Sequence, residues 1–153
     1  MRKFLLAACL AVATLPALAQ QNTNPQRTDP ISAVAKENTA KSTNIIQEKL
    51  KLEYPVLGSV QQKQFELETE YLNKAAKANT LNDKLTLQKN MKEKRRTEFS
   101  KLIPADKMPM FSHMEQNAAN LEFSKMTAQE QAAVKALGGA EKVLGWDLTV
   151  IKM

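Results

Sequence analysis

The chain has 153 residues, a formal net charge of +6 and a single cysteine, and only 5% of its residues are aromatic. This length corresponds to one domain and excludes a multidomain enzyme or a large α/β barrel. Few aromatics and four glycines also argue against an all-β sandwich, whose strands and turns favour such residues. The abundant Ala, Leu, Lys, Glu and Gln are strong helix formers and predict an all-α fold.

The first 19 residues predict a cleaved export signal. A basic pair at residues 2–3 precedes an apolar run at 4–13, and residues 17–19 (Ala-Leu-Ala) fit the small-x-small cleavage rule. The run is too short to span a bilayer, which takes about 20 apolar residues. We therefore expect cleavage between Ala19 and Gln20 and a periplasmic mature protein without a transmembrane segment. Loss of the basic pair lowers the formal charge to +4.

Cys9 opens a second interpretation, because residues 6–9 (Leu-Ala-Ala-Cys) resemble a lipoprotein cleavage box. The apolar stretch before it, residues 4–8, is shorter than the roughly 7 residues that such a region needs. Cleavage there would also leave residues 10–19 as an exposed apolar tail. Lipid anchoring through Cys9 is therefore the less favoured alternative.

Two helices are expected at the start of the mature chain. Asp29-Pro30 combines a capping residue with a proline suited to the first turn of a helix. The first helix should run to about Leu52, with Tyr54-Pro55 ending it, because the residue before proline avoids the α region. The second helix should begin after Gly58-Ser59, with Ser59 as its cap, and end at Asn79-Thr80.

Two further helices are expected in the second half of the chain. The third covers about 81–103, beginning at a capping-box pattern at Thr80 and ended by the proline that follows it. The fourth covers about 107–121 with Asp106 as its cap. This placement puts Pro109 in the first turn, whereas a proline in a helix interior costs about 3 kcal/mol.

A short fifth helix completes the predicted domain. It begins at a capping box at Thr127 and ends at residues 138–139 (Gly-Gly). The tail, 140–153, holds Trp146 and a β-prone run without a partner strand, and it is expected to pack as an irregular arm. The sequence thus predicts a flexible leader at 20–28 and an all-α helical hairpin or open bundle of four to five helices at 29–139, followed by this short tail.

The helix joints resemble those of small periplasmic proteins of the Spy and CpxP type, which contain Leu-Thr-x-x-Gln elements. Residues 126–131 (Met-Thr-Ala-Gln-Glu-Gln) look like one such element, with Met for Leu and the Gln one place late. Residues 96–107 look like the family's Arg-rich helix running into a degenerate joint, where Ile103 replaces Thr and Asp106 stands where Gln is expected. Residues 50–53 resemble a more decayed copy.

This resemblance, which covers about residues 31–131, implies an all-α hairpin fold. Proteins of this family often form curved dimers that hold unfolded clients or respond to envelope stress and metals. The resemblance therefore implies a chaperone-type homodimer, while the last 20 residues have no counterpart in it.

The third helix carries the clearest charge feature. Between residues 84 and 101 there are seven basic residues and two acidic ones, a local charge of +5. Lys89, Lys92 and Arg96 share one side of the helix and predict a basic face. This face is either a solvated surface or a binding site for acidic or membrane-proximal partners. With so few aromatics for base stacking and an exported address, no nucleic-acid partner is expected.

Arg95 falls between Met91 and Phe99, on the apolar side of the same helix. An unpaired buried charge is costly, so this guanidinium must reach water or find a carboxylate. A structural ion pair with a glutamate of a neighbouring helix is expected. A client-binding or dimer contact through Arg95 is the alternative.

One cluster has the composition of a metal site, and it consists of Met108, Met110, His113 and Met114. On a helix starting near residue 107, Met110, His113 and Met114 share a side, and thioether and imidazole donors suit Cu(I). The alternative is that these methionines fill an irregular core. Zinc is disfavoured, with one histidine and no cysteine in the mature chain.

Catalysis finds no support in the sequence. No nucleophile-elbow motif surrounds any serine, and four glycines supply no phosphate loop. The sequence therefore predicts a non-enzymatic exported protein of the envelope-stress or chaperone type. It would hold non-native or acidic chains on an apolar concave face with a basic rim. A soft-metal binder or sensor, and a passive structural domain of an envelope assembly, are the alternative hypotheses.

Overall fold

The computed structural model describes residues 29–151. The predicted export signal, the leader and Cys9 lie outside the described residues, as do the last two positions. Within 29–151 the chain forms α-helices and one short 3₁₀ turn, with no strand. The all-α prediction is therefore confirmed.

Six helices follow one another along the described chain, one more than predicted. They are α1 (Pro30–Leu50), α2 (Tyr54–Ala75), α3 (Leu81–Phe99), α4 (Met108–Ser124), α5 (Ala128–Ala136) and α6 (Ala140–Val143), and Leu148–Val150 forms the 3₁₀ turn.

Three of the predicted helix starts are confirmed at the level of individual hydrogen bonds. The Asp29 side chain accepts a bond from the backbone N–H of Ile31, at 3.2 Å, and Pro30 occupies the first turn of α1. Both predicted capping boxes form, one from Thr80 and Asp83 and the other from Thr127 and Glu130. Each satisfies backbone N–H groups that the first turn of a helix leaves without partners.

The boundary between the first two helices was predicted wrongly. Tyr54-Pro55 begins α2 instead of ending α1, because proline suits a first turn as well as a helix stop. The first helix ends at Leu50, where Lys51 takes a left-handed conformation with φ of 50°. Ser59 is therefore inside α2, where its hydroxyl donates to the carbonyl of Pro55 at 3.1 Å instead of capping the helix.

The joint between α3 and α4 also differs from the prediction. The third helix ends at Phe99, four residues early, and the N–H of Ile103 closes the turn by donating to the Phe99 carbonyl at 2.8 Å. Pro109 lies in the first turn of α4, as expected, but Asp106 is not the cap. Lys107 occupies that position and makes no capping bond through its side chain.

The core is shared by α1–α4 and the C-terminal tail. α1 and α2 form a hairpin, and α2 packs in turn on α3. Ile46 of α1, Val60 of α2, Phe99 of α3 and Phe111 of α4 are fully buried in one apolar cluster, where the Phe99 and Phe111 ring centroids lie 5.2 Å apart. This arrangement confirms a helical bundle.

The tail is short, as predicted, but it is not wholly irregular, because it includes α6 and the 3₁₀ turn, and it packs into the core. Val143, Leu144 and Leu148 are fully buried and Trp146 is 3% exposed. The Trp146 ring lies 5.2 Å from the ring of Tyr71 in α2, measured between centroids. The tail is therefore part of the packed domain.

Candidate functional site

The candidate site is centred on Arg95, which is completely buried on α3. Its Nε and Nη2 atoms both donate to Oε1 of Glu115 on α4, at 3.1 and 2.7 Å. The ion pair predicted between Arg95 and a glutamate of a neighbouring helix is confirmed. Such a pair fixes how α3 and α4 lie against each other, because both charges would be costly without the partner.

The other donors of Arg95 hold the C-terminal tail. Nη1 donates to the carbonyl of Trp146 at 2.6 Å, and Nη2 donates to the carbonyl of Gly145 at 2.7 Å. The guanidinium carbon also lies 4.7 Å from the centroid of the Trp146 ring and 5.6 Å from that of Phe111. Arg95 thus joins α3, α4 and the tail through charge-assisted bonds and aromatic faces.

Lys92 repeats this arrangement one turn earlier on α3. It is 1% exposed, and its Nζ donates to the carbonyls of Glu141 and Leu144, both at 2.6 Å. Burial lowers the pKa of Lys92 to about 8, although the nearby Glu115 charge opposes this shift. Lys92, Arg95 and Glu115, which we call the tail clasp, bind the tail mainly through its backbone carbonyls.

Glu115 forms ion pairs with two arginines, Arg95 and Arg96. It is fully buried, and its Oε2 accepts a bond from Nε of Arg96, whose side chain is 39% exposed. Arg96 therefore covers the clasp from the solvent side. Two arginines on one carboxylate leave the cluster with an excess of positive charge at this edge of the molecule.

Gly145 allows the tail to approach α4 closely. Its φ is 89°, and a Cβ atom added there would lie 2.3 Å from the carbonyl oxygen of Glu115. Any other residue would clash with the α4 backbone and would also adopt an unfavourable left-handed conformation. Glycine at this position is what lets the Gly145 and Trp146 carbonyls reach Arg95.

The four predicted partner-binding residues do not lie together on an accessible surface. Lys92 and Arg95 are buried in the tail clasp, Lys89 is half-buried, and Arg96 is partly exposed against Glu115. Lys89, Lys92 and Arg96 are within α3, as the helical spacing required, but the tail covers the side of α3 that Lys92 occupies. Of these four residues, only Lys89 and Arg96 are partly accessible to a partner.

Sequence reasoning missed two carboxylates of α4, the fully buried Glu115 and the half-buried Glu122. Glu115 follows Phe111 and Met114 on an apolar stripe, the same signal that singled out Arg95. Glu122 lies two turns further along, where burial raises its pKa to about 7 although a 2.7 Å bond from Nε2 of Gln88 opposes the shift. Acidic residues within an apolar stripe were therefore an available indication of the site.

The structure separates the members of the Met/His cluster. Met114 is 3% exposed in the core and Met108 packs against the core, whereas Met110 is 51% exposed. His113 is exposed, with its Nδ1 3.3 Å from Nδ2 of Asn117. Among residues 29–151, no three or more His, Cys, Asp or Glu side chains are grouped as a metal site. Only Met110 and His113 of the predicted set face solvent.

An apolar groove lies between α4 and the tail. Leu121, Val150 and Ile151 form its apolar part and Asn117, Asn120 and Lys125 its polar part, and its volume is about 710 Å³. Leu121 is 39% exposed and is one of four large apolar side chains that the described chain exposes. We call this feature the α4 groove.

None of the helices within 29–151 has both the length and the apolar character that crossing a membrane requires. No protein-family model matches the chain, and neither a curated protein nor a solved structure matches it significantly.

Proposed function

We propose that the chain is an exported, non-enzymatic protein of the envelope-stress or chaperone type, acting in the periplasm as a homodimer. Its role is to hold non-native or acidic partner chains. The observation that supports this proposal is the α4 groove, which combines apolar walls with a basic edge.

The groove supplies the two elements that such a partner needs. Leu121, Val150 and Ile151 offer an apolar surface that an exposed hydrophobic segment can cover, with a gain of about 25 cal/mol for each Å² removed from water. Lys125, which is exposed at the same groove, offers a charge to an acidic flank. The volume of about 710 Å³ is within the range of clefts that bind ligands.

This location differs from the one expected at first. The sequence placed a basic rim on α3, where Lys92 and Arg95 are buried. The groove on α4 instead has its own lysine, so the proposed occupant is an apolar segment of a non-native chain with an acidic flank. The charge complementarity with Lys125 favours this occupant over a second copy of the basic chain.

Suppression of aggregation tests the proposal. The mature chain at an equimolar ratio should reduce light scattering from an unfolding client with acidic segments. Leu121→Ser and Lys125→Glu should each weaken this protection several-fold, because one removes apolar contact and the other reverses the charge.

Val34→Ser is the matched control, since Val34 is 46% exposed on α1, away from the groove. It should protect as well as the wild type. No protection by the wild-type chain would contradict the chaperone function, and equal loss in Val34→Ser and Leu121→Ser would contradict the groove. Static light scattering of the free protein tests the dimer.

The soft-metal alternative now depends on the two donors that face solvent, Met110 and His113. If the chain binds Cu(I) there, calorimetric titration should show a site that disappears when both are replaced by alanine. Absence of a site in the wild-type chain would exclude this alternative.

A further inference from the structure

A small polar cavity lies beside the tail clasp, with Trp146 in contact with both, and it shares no lining residue with the α4 groove. It has a volume of about 140 Å³ and is enclosed by four parts of the fold. Its lining includes Asn38 of α1, Glu68 and Tyr71 of α2, Gln88 of α3, and Trp146 and Asp147 of the tail. Neither the proposed function nor the clasp uses these side chains as a group.

Glu68 leaves part of its hydrogen-bonding capacity unused at this cavity. The residue is only 5% exposed, and its Oε1 accepts a bond from Nδ2 of Asn38 at 2.8 Å. Its Oε2 accepts no hydrogen bond from any residue within 29–151. Glu68 lines the cavity, so this oxygen can accept a hydrogen bond from a donor group of a bound ligand.

A second carboxylate adds to the negative charge of the cavity. Oδ1 of Asp147 accepts bonds from the backbone N–H and the hydroxyl of Thr149, at 2.8 and 2.6 Å, which leaves Oδ2 without a partner among the described residues. Among residues 29–151, no lysine, arginine or histidine lines the cavity. The N–H groups of the nearby Arg95 already donate to Glu115 and to two tail carbonyls.

The charges around Glu68 do not compensate its burial. Burial raises the pKa of Glu68, and the charge on Asp147 acts in the same direction. The bond from Asn38 and the charge on Arg95 oppose this shift without cancelling it. A cation in the cavity would favour the ionised form of Glu68 and would relieve the mutual repulsion of the two carboxylates.

The cavity also has an aromatic wall. The rings of Tyr71 and Trp146 lie 5.2 Å apart with an interplanar angle of 35°. Aromatic faces attract cations and also accept the hydrocarbon part of an organic ligand. A cavity of this size has room for a molecule of about six non-hydrogen atoms.

We propose that this cavity is a binding site for a small organic cation, either a primary ammonium or a guanidinium compound. Its N–H groups donate to Oε2 of Glu68 and to Asp147, and its carbon atoms lie against Tyr71 and Trp146. The site differs in position and ligand from the α4 groove, so either proposal can fail without the other.

Trp146 supplies a direct signal for the test, because it is the only tryptophan of the sequence. Methylguanidinium and ethylammonium are titrated separately into the full mature chain, followed by tryptophan fluorescence and by calorimetry. N-methylurea is the neutral probe, since it resembles methylguanidinium in shape but carries no charge. We expect saturable binding of at least one cation, at least tenfold tighter than that of N-methylurea.

Two variants locate the site. Glu68→Gln keeps an acceptor for Asn38 but removes the charge, so it should weaken cation binding at least tenfold. Glu66→Gln, on the same helix but exposed in a pair with Lys63, is the matched control and should bind as the wild type does. Asp147→Asn changes an exposed residue and provides a second test if Glu68→Gln does not fold, as judged by circular dichroism.

Several results would overturn the site. They are the absence of saturable binding by both cations, binding of N-methylurea as tight as that of methylguanidinium, and unchanged affinity in the folded Glu68→Gln or Asp147→Asn variant. Equal weakening by Glu66→Gln would also overturn it, because the effect would then not belong to the cavity.

Discussion

Arg95 and Glu115 show how a charged residue is retained in the core of this small domain. Both side chains are fully buried, and each is compensated by the other and by further partners. Such a pair is not a net gain over apolar packing, but breaking it leaves a buried charge without a counterion. Its value here is in joining α3, α4 and the tail in one arrangement.

Glu115→Gln tests that role. We expect the free energy of unfolding to fall by about 3 kcal/mol, because the substitution leaves the Arg95 charge buried without its carboxylate. Urea unfolding of the mature chain, followed by far-ultraviolet circular dichroism, measures the change. Glu37→Gln makes the same substitution in an exposed pair with Lys41 and should have little effect. Equal effects of the two substitutions would contradict the assignment.

Glu122 predicts a specific pH dependence. Because its pKa is raised from 4.5 to about 7, the folded chain keeps this proton in a range where the unfolded chain has lost it. Its contribution to stability is therefore present below about pH 4.5 and disappears as the pH rises to about 7. Glu122→Gln cannot ionise. Its free energy of unfolding, relative to that of the wild type, should therefore increase by about 3 kcal/mol between pH 4.5 and pH 8.

Urea unfolding of both chains at pH 4.5, 6 and 8 measures this gain. Glu98→Gln is the control, since Glu98 forms an exposed pair with Lys101 that lowers the pKa of its carboxyl. That variant should show no such gain. If the difference in free energy of unfolding between the wild type and Glu122→Gln did not change with pH, the raised pKa would be contradicted.

At the residue scale, the sequence predicted only what one helix determines. The positions of Met91 and Phe99 indicated that Arg95 points inward. The apolar stripe of α4 indicates in the same way that Glu115 points inward, but pairing it with Arg95 requires the rotation of α4 relative to α3. Lys92 was expected at the surface for the same reason, since the tail that covers it lies about 50 residues further along the chain.

At the element scale, the capping residues were the most informative signals. Thr80 and Thr127 act within four residues of chain, so their boxes could be recognised without knowledge of the fold. Tyr54-Pro55 could not be resolved in this way, because a proline is equally compatible with the end of one helix and the start of the next. The depth at which the tail packs could not be predicted either, because it depends on how α3 and α4 are placed relative to each other.

Gly145→Ala tests how the tail joins α4. The added Cβ would lie against the carbonyl of Glu115 at a positive φ, so we expect a loss of about 2 kcal/mol or more in the free energy of unfolding. Gly58→Ala is the matched control, because Gly58 is exposed within α2 with no atom near its added Cβ. It should stabilise the helix by about 0.5–1 kcal/mol.

Urea unfolding of the two glycine variants provides the comparison. Opposite signs are expected for the same chemical change. A Gly145→Ala variant as stable as the wild type would show that the tail can leave α4 without disturbing the core.

At the scale of the whole molecule, the predicted export signal determines which chain is present in its working compartment. We expect the protein recovered from the periplasm of a producing cell to begin at Gln20. Intact mass and N-terminal sequencing measure this directly. Replacing Ala17 and Ala19 by bulky residues should block cleavage, because the site needs small side chains. A lipid-modified chain beginning at Cys9 would contradict this prediction.

The tail clasp also makes burial of part of α3 depend on residues far along the chain. Lys92 and Arg95 are bonded to carbonyls that lie 49 to 52 residues further along the chain. Arg95 can pair with Glu115 as soon as α3 and α4 are present, but both acceptors of Lys92 belong to the tail. Burying Lys92 before the tail is in place would therefore leave its charge without hydrogen-bond partners. Complete closure of the core thus depends on a long-range contact, the kind of contact that slows folding.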